Sequence, residues 1–451
     1  MAVSTSLTAQ LNIKHPIMLA GMGRTSGAPL AAAVTNAGGL GVIGGVGYTN
    51  QQLKEMISEL KSLLDDPSAP FGVDLLLPQV GAGARKTNID YTKGDLSTLV
   101  ETIISGGAKV FVSAVGVAPK HIVDRLHEAG VLYMNMIGHP KHVHKACAVG
   151  ADIICAQGGE AGGHTGDIAF SILIPACADI CRQYTSPLTG QPVQLVAAGG
   201  VNDGRSLAAA LMLGAQAVWI GTRFVTAKES GASEYAKKGI INANFDSAIK
   251  SIVWSGRPLR AMSNPYIEDW EKNRQAEIKD LTDRGLVPLE WEMDRLEREG
   301  KLTEEVMEGA ELRPMGVVAG MVNKPNQSAR EIVEEIVAEA AELLGKAGEF
   351  VGSINDVHDP SYASYSWSVD GADLELLLRV GSMFTCDYAY QSALRSTLTN
   401  TAGILSNMVY RDSVDQLSSC RNVQAREKSS FMDAEDQQAL QRRYWKKLDS
   451  L

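Results

Sequence analysis

Eight short apolar runs recur between residues 15 and 222, and stretches of helical spacing separate them. Each run is continuously hydrophobic rather than alternating, which is typical of strands buried on both faces of a parallel sheet. The runs occupy residues 15–21, 39–45, 71–77, 108–116, 131–138, 151–158, 193–200 and 215–222. Eight strand–helix units predict an α/β fold of the (β/α)8 type, the TIM barrel, with an open doubly wound sheet as the alternative. We favour the barrel because the number of runs matches it and the unusual residues follow the ends of the runs.

The alternation of apolar runs and helical stretches ends near residue 225, and the rest of the chain does not repeat it. Residues 226–355 are charged and helix-prone, so they predict a smaller, mostly helical second domain after a barrel of residues 1–225. A linker rich in Gly, Asp, Ser and Pro then leads to residues 356–451. This last region predicts a helical C-terminal extension of unknown role.

Composition and charge narrow the class of partner. The net charge of −10 argues against nucleic acid or an anionic membrane surface as the main partner. No apolar run approaches the ~20 residues that cross a bilayer, and the start of the chain lacks a secretory pattern. The 6 cysteines form no paired framework, so we expect reduced thiols and a cytoplasmic location.

Glycine-rich turns follow the seventh and eighth apolar runs, in the segments "AAGGVND" and "IGTRF". In a barrel these two loops are neighbours at the C-terminal face, the usual position of a bound phosphate. Backbone N–H groups of Gly199, Gly200, Gly221 and Thr222 are the expected donors, because glycine lets a phosphate approach the chain closely. The plainer interpretation is that these glycines only turn tight corners.

Two further glycine-rich segments would lie at the same face: "AGMG" after the first run and "CAQGGEAGGHTG" at Cys155–Gly166. A mouth with open backbone on several sides suits a flat ring system whose phosphate lies near runs seven and eight. FMN fits this description, with Gln157 supplying amide hydrogen bonds. A sugar phosphate without a ring system would leave the glycine-rich segment after the first apolar run unexplained. The residues alone establish only that the ligand is phosphorylated.

Four motifs, "PIMLAGMG", "AQGGEAGGHTG", "AAGGVNDG" and "AVWIGTRF", occur in this order and resemble those of the nitronate monooxygenases, formerly called 2-nitropropane dioxygenases. The resemblance covers roughly residues 12–225. In addition, "MGVVAGM" at 315–321 resembles the segment that closes the family's substrate cavity. The resemblance implies a barrel that holds FMN without covalent attachment, and a second domain whose residues 315–321 return to the active site.

The resemblance also implies which positions contact the flavin. These are Ala20, Gly21, Met22, Gln157, Gly162, Gly200, Trp219, Ile220, Gly221 and Thr222. The sequence departs from the family at Asp74, where the family typically has Asn facing the flavin. An ionised carboxylate only accepts hydrogen bonds and would repel negative charge on a reduced flavin. Either Asp74 is protonated or paired elsewhere, or flavin affinity and potential differ in this protein.

His164 is the candidate catalytic residue. Glycines surround it in the sequence, and an imidazole is largely neutral at cellular pH, so it can accept a proton from a carbon acid. The resemblance places the family's catalytic base at this position, whereas a lone histidine is otherwise more often structural. Glu160 is a second candidate base, although holding the loop is its more ordinary role. His139, His142 and His144 lack an accompanying carboxylate at metal-site spacing, so no metal site is expected.

Three functions are compatible with these features. The first is FMN-dependent oxidation of alkyl nitronates, and of nitroalkanes where His164 removes a proton, by dioxygen to a carbonyl compound and nitrite. The second is a flavin-dependent NAD(P)H reductase of the enoyl-acyl carrier protein reductase or quinone reductase type. The third is a phosphate- or flavin-binding interaction module that uses the C-terminal extension. The first implies a small-molecule substrate and dioxygen as partners, with a homodimer as a possible assembly.

Overall fold

Each of the eight apolar runs contains a parallel strand in the computed structural model, which describes residues 3–45, 47–81 and 83–350. Three further short strands form a separate antiparallel sheet. The strands are β1 (Ile17–Leu19), β2 (Gly41–Gly45), β3 (Phe71–Leu76), β4 (Val110–Ala114), β5 (Leu132–Ile137), β6 (Ile153–Gln157), β7 (Gly163–His164), β8 (Gln194–Ala198), β9 (Ala217–Ile220), β10 (Ala248–Ser251) and β11 (Leu259–Met262).

The eight-stranded sheet closes on itself. Its strand order is β1-β9-β8-β6-β5-β4-β3-β2, and all of these pairs are parallel. A parallel bridge between Met18 and Leu40, the residue before β2, joins the two ends of that order. The predicted (β/α)8 barrel is therefore confirmed, and the open doubly wound sheet is excluded.

Helices lie between and around the strands. They are α1 (Ser6–Leu11), α2 (Ala28–Asn36), α3 (Asn50–Leu63), α4 (Leu96–Gly106), α5 (Lys120–Glu128), α6 (Lys141–Val149), α7 (Phe170–Cys181), α8 (Gly204–Met212), α9 (Thr222–Val225), α10 (Glu234–Ile241), α11 (Pro265–Asn273), α12 (Gln275–Asp283), α13 (Pro288–Arg298), α14 (Glu304–Ala310) and α15 (Ala329–Lys346), with 3₁₀ turns at Val317–Met321 and Ala347–Phe350. Within the described ranges, no helix is both long and apolar enough to cross a membrane.

The barrel interior is a packed apolar core rather than a channel. Alternate residues of the strands point inward and bury Met18, Val112, Cys155 and Trp219, among others. Leu7 and Leu11 of α1 belong to the same cluster, and the Thr5 hydroxyl donates to the Gln216 carbonyl 2.7 Å away, just before β9. Helix α1 therefore seals the N-terminal end of the barrel, which leaves the C-terminal end for a site.

Helix α15 completes the outer ring of the barrel, although the sequence analysis placed it in the second domain, residues 226–355. It packs on α8 and α2, and its apolar face, including Ile332 and Ile336, joins the outer barrel core. The contact with α8 is close: a Cβ on Gly204 would lie 2.3 Å from the Ala340 amide nitrogen. Residues 226–328 thus stand between the eighth barrel strand and its helix, and the amphipathic pattern of α15 gave no indication of which surface it covers.

The region between β9 and α15 has its own core and its own small sheet. Ile267, Trp270 and Leu281 are buried there, and the Arg274 guanidinium lies 3.3 Å from the Trp270 ring centroid. Strand β11 pairs with β10 on one side and with β7, which comes from the barrel loop, on the other. The region is mostly helical, and this sheet connects it to the loop that carries His164. The predicted extension, residues 356–451, lies outside the described residues.

Candidate active site

The turns after β6 and β8 leave bare backbone at the C-terminal end of the barrel. Gly199 and Gly200 have φ of +91° and +73°, in the left-handed region that favours glycine. A Cβ on Gly199 would lie 3.1 Å from the backbone N and O of Gly158, whereas a Cβ on Gly200 would meet no atom within 4 Å. A side chain at Gly200 would therefore point into open space, while Gly199 fits closely against the neighbouring turn.

The segments after β1 and β9 lie side by side at the same end. The Ala20 amide donates to the Ile220 carbonyl at 2.9 Å, and a Cβ on Gly221 would lie 3.5 Å from Ala20 Cβ and 3.6 Å from Met22 Sδ. The Trp219 side chain fills the barrel interior below them. The structure thus brings together the residues that the sequence analysis assigned to the two ends of a flavin.

The loop after β6 is folded by contacts of its own side chains. Gln157 Nε2 donates to the His164 carbonyl, and Thr165 Oγ1 donates to the Gly158 carbonyl at 2.9 Å. The Glu160 carboxylate accepts the Phe170 amide at the start of α7, at 3.0 and 3.2 Å. Glu160 therefore holds the loop against α7, the structural role that the sequence analysis considered for it.

The segment at 315–321 lies directly on this loop. A Cβ on Gly162 would lie 2.7 Å from the Gly316 amide nitrogen, so only glycine permits the approach. The Gly316 amide donates to Thr222 Oγ1 at 3.0 Å, and the Val317 amide donates to the Glu160 carbonyl at 3.0 Å. Gly162 and Thr222, both predicted as flavin contacts, are thus also the anchors of this segment.

His164 lies on β7, opposite Leu259 of β11, and is partly buried. Its Nε2 and the Ser255 hydroxyl are 2.9 Å apart and share a hydrogen bond. Loss of contact with water, assisted by the nearby positive charge of Arg257, lowers the pKa of His164 to about 4. The imidazole is therefore neutral at physiological pH, with a ring nitrogen that can accept a proton.

Asp74 lies on β3 with its side chain inside the barrel. It is aligned with Gly44 on one side and with Val112, an interior residue, on the other. The residue is 2% exposed, and its Oδ1 has no hydrogen-bond partner in the described part of the chain. Burial raises the pKa of Asp74 to about 8, so the carboxyl is mostly protonated at neutral pH.

The three histidines after β5 make ordinary contacts. The rings of His139 and His142 have centroids 5.8 Å apart, and His144 Nδ1 lies 2.7 Å from the Tyr184 hydroxyl. Across the residues that the structure describes, no group of three or more His, Cys, Asp or Glu side chains could hold a metal ion.

Sequence reasoning missed the residues that the second domain contributes. Besides Ser255, these are Arg257, whose Nη1 donates to the Val115 carbonyl at 3.3 Å, and Arg260, whose Nη2 donates to the Gly159 carbonyl at 3.0 Å. Val115 follows β4 with φ of +70°, a strained conformation for a β-branched residue of the kind found at functional sites. No motif in "IVWSGRPLRAM" signalled this role.

The fold and site define the class of the protein. A (β/α)8 barrel with glycine backbone and an imidazole at its C-terminal end has the arrangement of a barrel enzyme that binds a phosphate-bearing ligand at that end. Residues 4–339 match the family model for nitronate monooxygenase, so the chain belongs to the nitronate monooxygenase family. The family suggested by the four motifs is thus confirmed, and the protein is an oxidoreductase with a flavin cofactor.

Individual relatives differ in their reactions. The chain is 35% identical over 277 residues to (3aS,4S,5R,7aS)-5-hydroxy-7a-methyl-1-oxo-octahydro-1H-indene-4-carboxyl-CoA dehydrogenase of Mycobacterium tuberculosis, covering 61% of this chain and 71% of that protein. It is 32% identical over 303 residues to a probable nitronate monooxygenase of Staphylococcus haemolyticus, covering 59% and 80%. The solved structure of FabK from Thermotoga maritima superposes with a TM-score of 0.61 at 28% identity, covering 77% of this chain and 99% of that chain.

Proposed function

We propose that this protein binds FMN and oxidises alkyl nitronates with dioxygen, releasing a carbonyl compound and nitrite. Nitroalkanes become substrates where His164 first removes a proton from the carbon next to the nitro group. The observation that carries the proposal is the partly buried imidazole of His164, which lies on the glycine-rich loop, shares a hydrogen bond with Ser255 and is near enough to Arg257 for that positive charge to lower its pKa.

The residues at the C-terminal end of the barrel suit FMN. The free space at Gly200, next to the Gly221 and Thr222 turn, admits a phosphate against backbone N–H groups. Ala20, Gly21 and Met22 offer a second stretch of backbone for the ring system. When bound, the flavin supplies the chemistry of accepting electrons from the substrate and passing them to dioxygen.

His164 acts on the substrate carbon. Because its pKa is lowered to about 4, the ring stays neutral and able to accept a proton throughout the physiological range. The Ser255 hydroxyl fixes the ring through Nε2, since the two atoms are 2.9 Å apart. A nitronate that arrives already ionised needs no base, and His164 then serves to orient it.

Arg257 gives the site its affinity for an anion. Its guanidinium lowers the pKa of His164 electrostatically and donates to the Val115 carbonyl, so one positive charge is held near His164. We expect Arg257→Gln to raise KM for a nitronate about tenfold with a smaller change in kcat, because one charge-assisted contact is lost. Arg257→Lys keeps the charge and is the matched control. If Arg257→Gln raised KM equally for a neutral nitroalkane and for its nitronate, a role based on the charge of Arg257 would be contradicted.

The reaction itself is tested with purified, FMN-loaded protein and propionate 3-nitronate under air. We expect oxygen consumption and nitrite release without added nicotinamide, because the substrate anion supplies the electrons. An oxygen electrode measures the consumption of dioxygen, and a colorimetric assay measures the nitrite released in the same reaction. The proposal is wrong if flavin is bound and neither signal rises above that of free FMN.

A flavin-dependent NAD(P)H reductase, or a dehydrogenase that runs in the opposite direction, is the second candidate, because one relative at 35% identity is a carboxyl-CoA dehydrogenase. In that case a nicotinamide coenzyme or an acyl thioester would exchange electrons with the flavin. Anaerobic bleaching of the flavin absorbance by NADH or NADPH, at the rate of turnover, favours this alternative. Bleaching by the nitronate alone favours nitronate oxidation.

A further inference from the structure

We infer that the Asp74 carboxyl is a proton-controlled binding contact for the flavin ring, which it holds while protonated and weakens when it ionises. This inference rests on the proposed FMN site, since the barrel end described above is where the ring would lie. It adds to that proposal a residue that ties cofactor affinity to pH.

The position of the carboxyl points to a ligand. A Cβ placed on Gly21 would lie 2.2 Å from Asp74 Oδ2, so the side chain lies directly against the backbone after β1. The residue is 2% exposed, and Asp74 Oδ1 has no hydrogen-bond partner within the described ranges. A buried polar atom without a partner is unusual in a folded protein and is explained where a ligand supplies the missing contact.

The surroundings provide no basic partner that would keep the carboxyl ionised. The segment 20–22, β2 and β4 contain no ionisable side chain, and Arg24 at the end of the first loop is exposed. Cys155 on β6 is a titratable group that also points into the barrel interior. Burial, together with the charge of an ionised Asp74, raises the pKa of the Cys155 thiol. A thiol cannot neutralise a carboxylate, so protonation is the way in which Asp74 avoids a buried charge.

Protonation decides what the carboxyl can do for a ligand. A neutral carboxylic acid donates one hydrogen bond and accepts others, whereas a carboxylate only accepts. Burial raises the pKa of Asp74 to about 8 before any ligand is present. A ring that accepts its proton stabilises the neutral form further, so binding and protonation strengthen each other.

The experiment measures the dissociation constant of FMN for the full chain by quenching of flavin fluorescence. We expect it to rise about tenfold between about pH 6.5 and about pH 9.5, because each unit by which FMN raises the pKa of Asp74 is a factor of ten in affinity. Asp74→Asn keeps the shape and a donor but cannot ionise, so its dissociation constant should change less than about twofold. Cys155→Ala is the control for the neighbouring thiol and should retain the wild-type dependence.

Two results would overturn the inference: the same pH dependence in Asp74→Asn as in the wild type, or its loss in Cys155→Ala. If Asp74→Asn does not fold, infrared difference spectra of wild-type protein carrying ¹³C-labelled aspartate replace it. A protonated buried carboxyl must then disappear as the pH rises in parallel with loss of FMN, and its absence rejects the inference. Failure to bind FMN at any pH would instead reject the proposed cofactor.

Discussion

Replacing His164 by asparagine is expected to lower kcat/KM for a neutral nitroalkane about 10²–10⁴-fold, the usual contribution of a positioned general base. Asparagine is polar and fits in the space of the imidazole, but it cannot take a proton. Steady-state oxygen consumption with nitroethane, on protein with confirmed flavin content, measures the effect. The same variant should lose much less activity toward a preformed nitronate, since the proton has already left that substrate.

The matched control for this prediction is Ser255→Ala. It removes the hydroxyl that shares a hydrogen bond with His164 Nε2 but leaves the imidazole in place. A loss of less than about tenfold is expected, because a single neutral hydrogen bond contributes about 1 kcal/mol. If His164→Asn is no worse than Ser255→Ala with nitroethane, His164 is not the base.

The pH profile offers a further check on His164. A base must be unprotonated to act, and the pKa of His164 is lowered to about 4 by burial and by Arg257. The rate of proton abstraction should therefore stay level as the pH falls through ~6.5, where an ordinary imidazole would lose activity, and should fall only toward about pH 4. A midpoint near ~6.5 would show that the ring is solvated when substrate binds.

The barrel could be predicted from sequence because the pattern that marks each strand and its following turn lies within a few neighbouring residues. Each strand is a continuous apolar run, and the glycine turns after β6, β8 and β9 stand next to the strands that position them. Most of the candidate flavin-contact residues lie in these turns, in the turn after β1 or at the ends of β6 and β9, so identifying the strands brought them to one end of the barrel.

The other half of the site depends on distant parts of the chain. Ser255 meets His164 across 91 residues, through pairing between β11 and a β7 strand of 2 residues. So short a strand has no alternation to detect, and "WSGRP" contains no motif. Helix α15 illustrates the same limit, since its apolar stripe predicted a buried face without identifying α8 and α2 as its neighbours.

Asp74 stands between these two cases. Asp74 lies within a continuous apolar run, and the sequence alone allows a protonated acid, an acid paired elsewhere, or an ionised acid that alters flavin affinity and potential. The structure favours the protonated one, because the side chain is 2% exposed and its Oδ1 lacks a partner in the part of the chain described. Whether a buried acid is neutral depends on its three-dimensional neighbours, which sequence spacing does not specify.

In the cofactor-free protein, the gain in stability from Asp74→Asn is expected to be about 4 kcal/mol larger at about pH 8 than at about pH 5. Burial raises the folded-state pKa of Asp74 to about 8, whereas the unfolded chain titrates near ~3.9. Between these values the native state holds a proton that the unfolded state has released. Wild-type stability therefore falls as the pH rises through this window, and asparagine removes that loss.

Urea unfolding of the cofactor-free full chain at about pH 5 and about pH 8 measures the difference between wild type and variant at each pH. Any cost of placing an amide at position 74 is the same at both pH values. The change with pH in the difference between the two free energies of unfolding therefore comes from the proton on Asp74. Asp66→Asn is the control, because Asp66 is a surface acid whose pKa is lowered by Ser68 and whose loss should bring no gain at the higher pH. If the two differences for Asp74→Asn are equal, the carboxyl is already ionised in the folded protein. Asp74 could not then act as a proton-dependent contact for FMN.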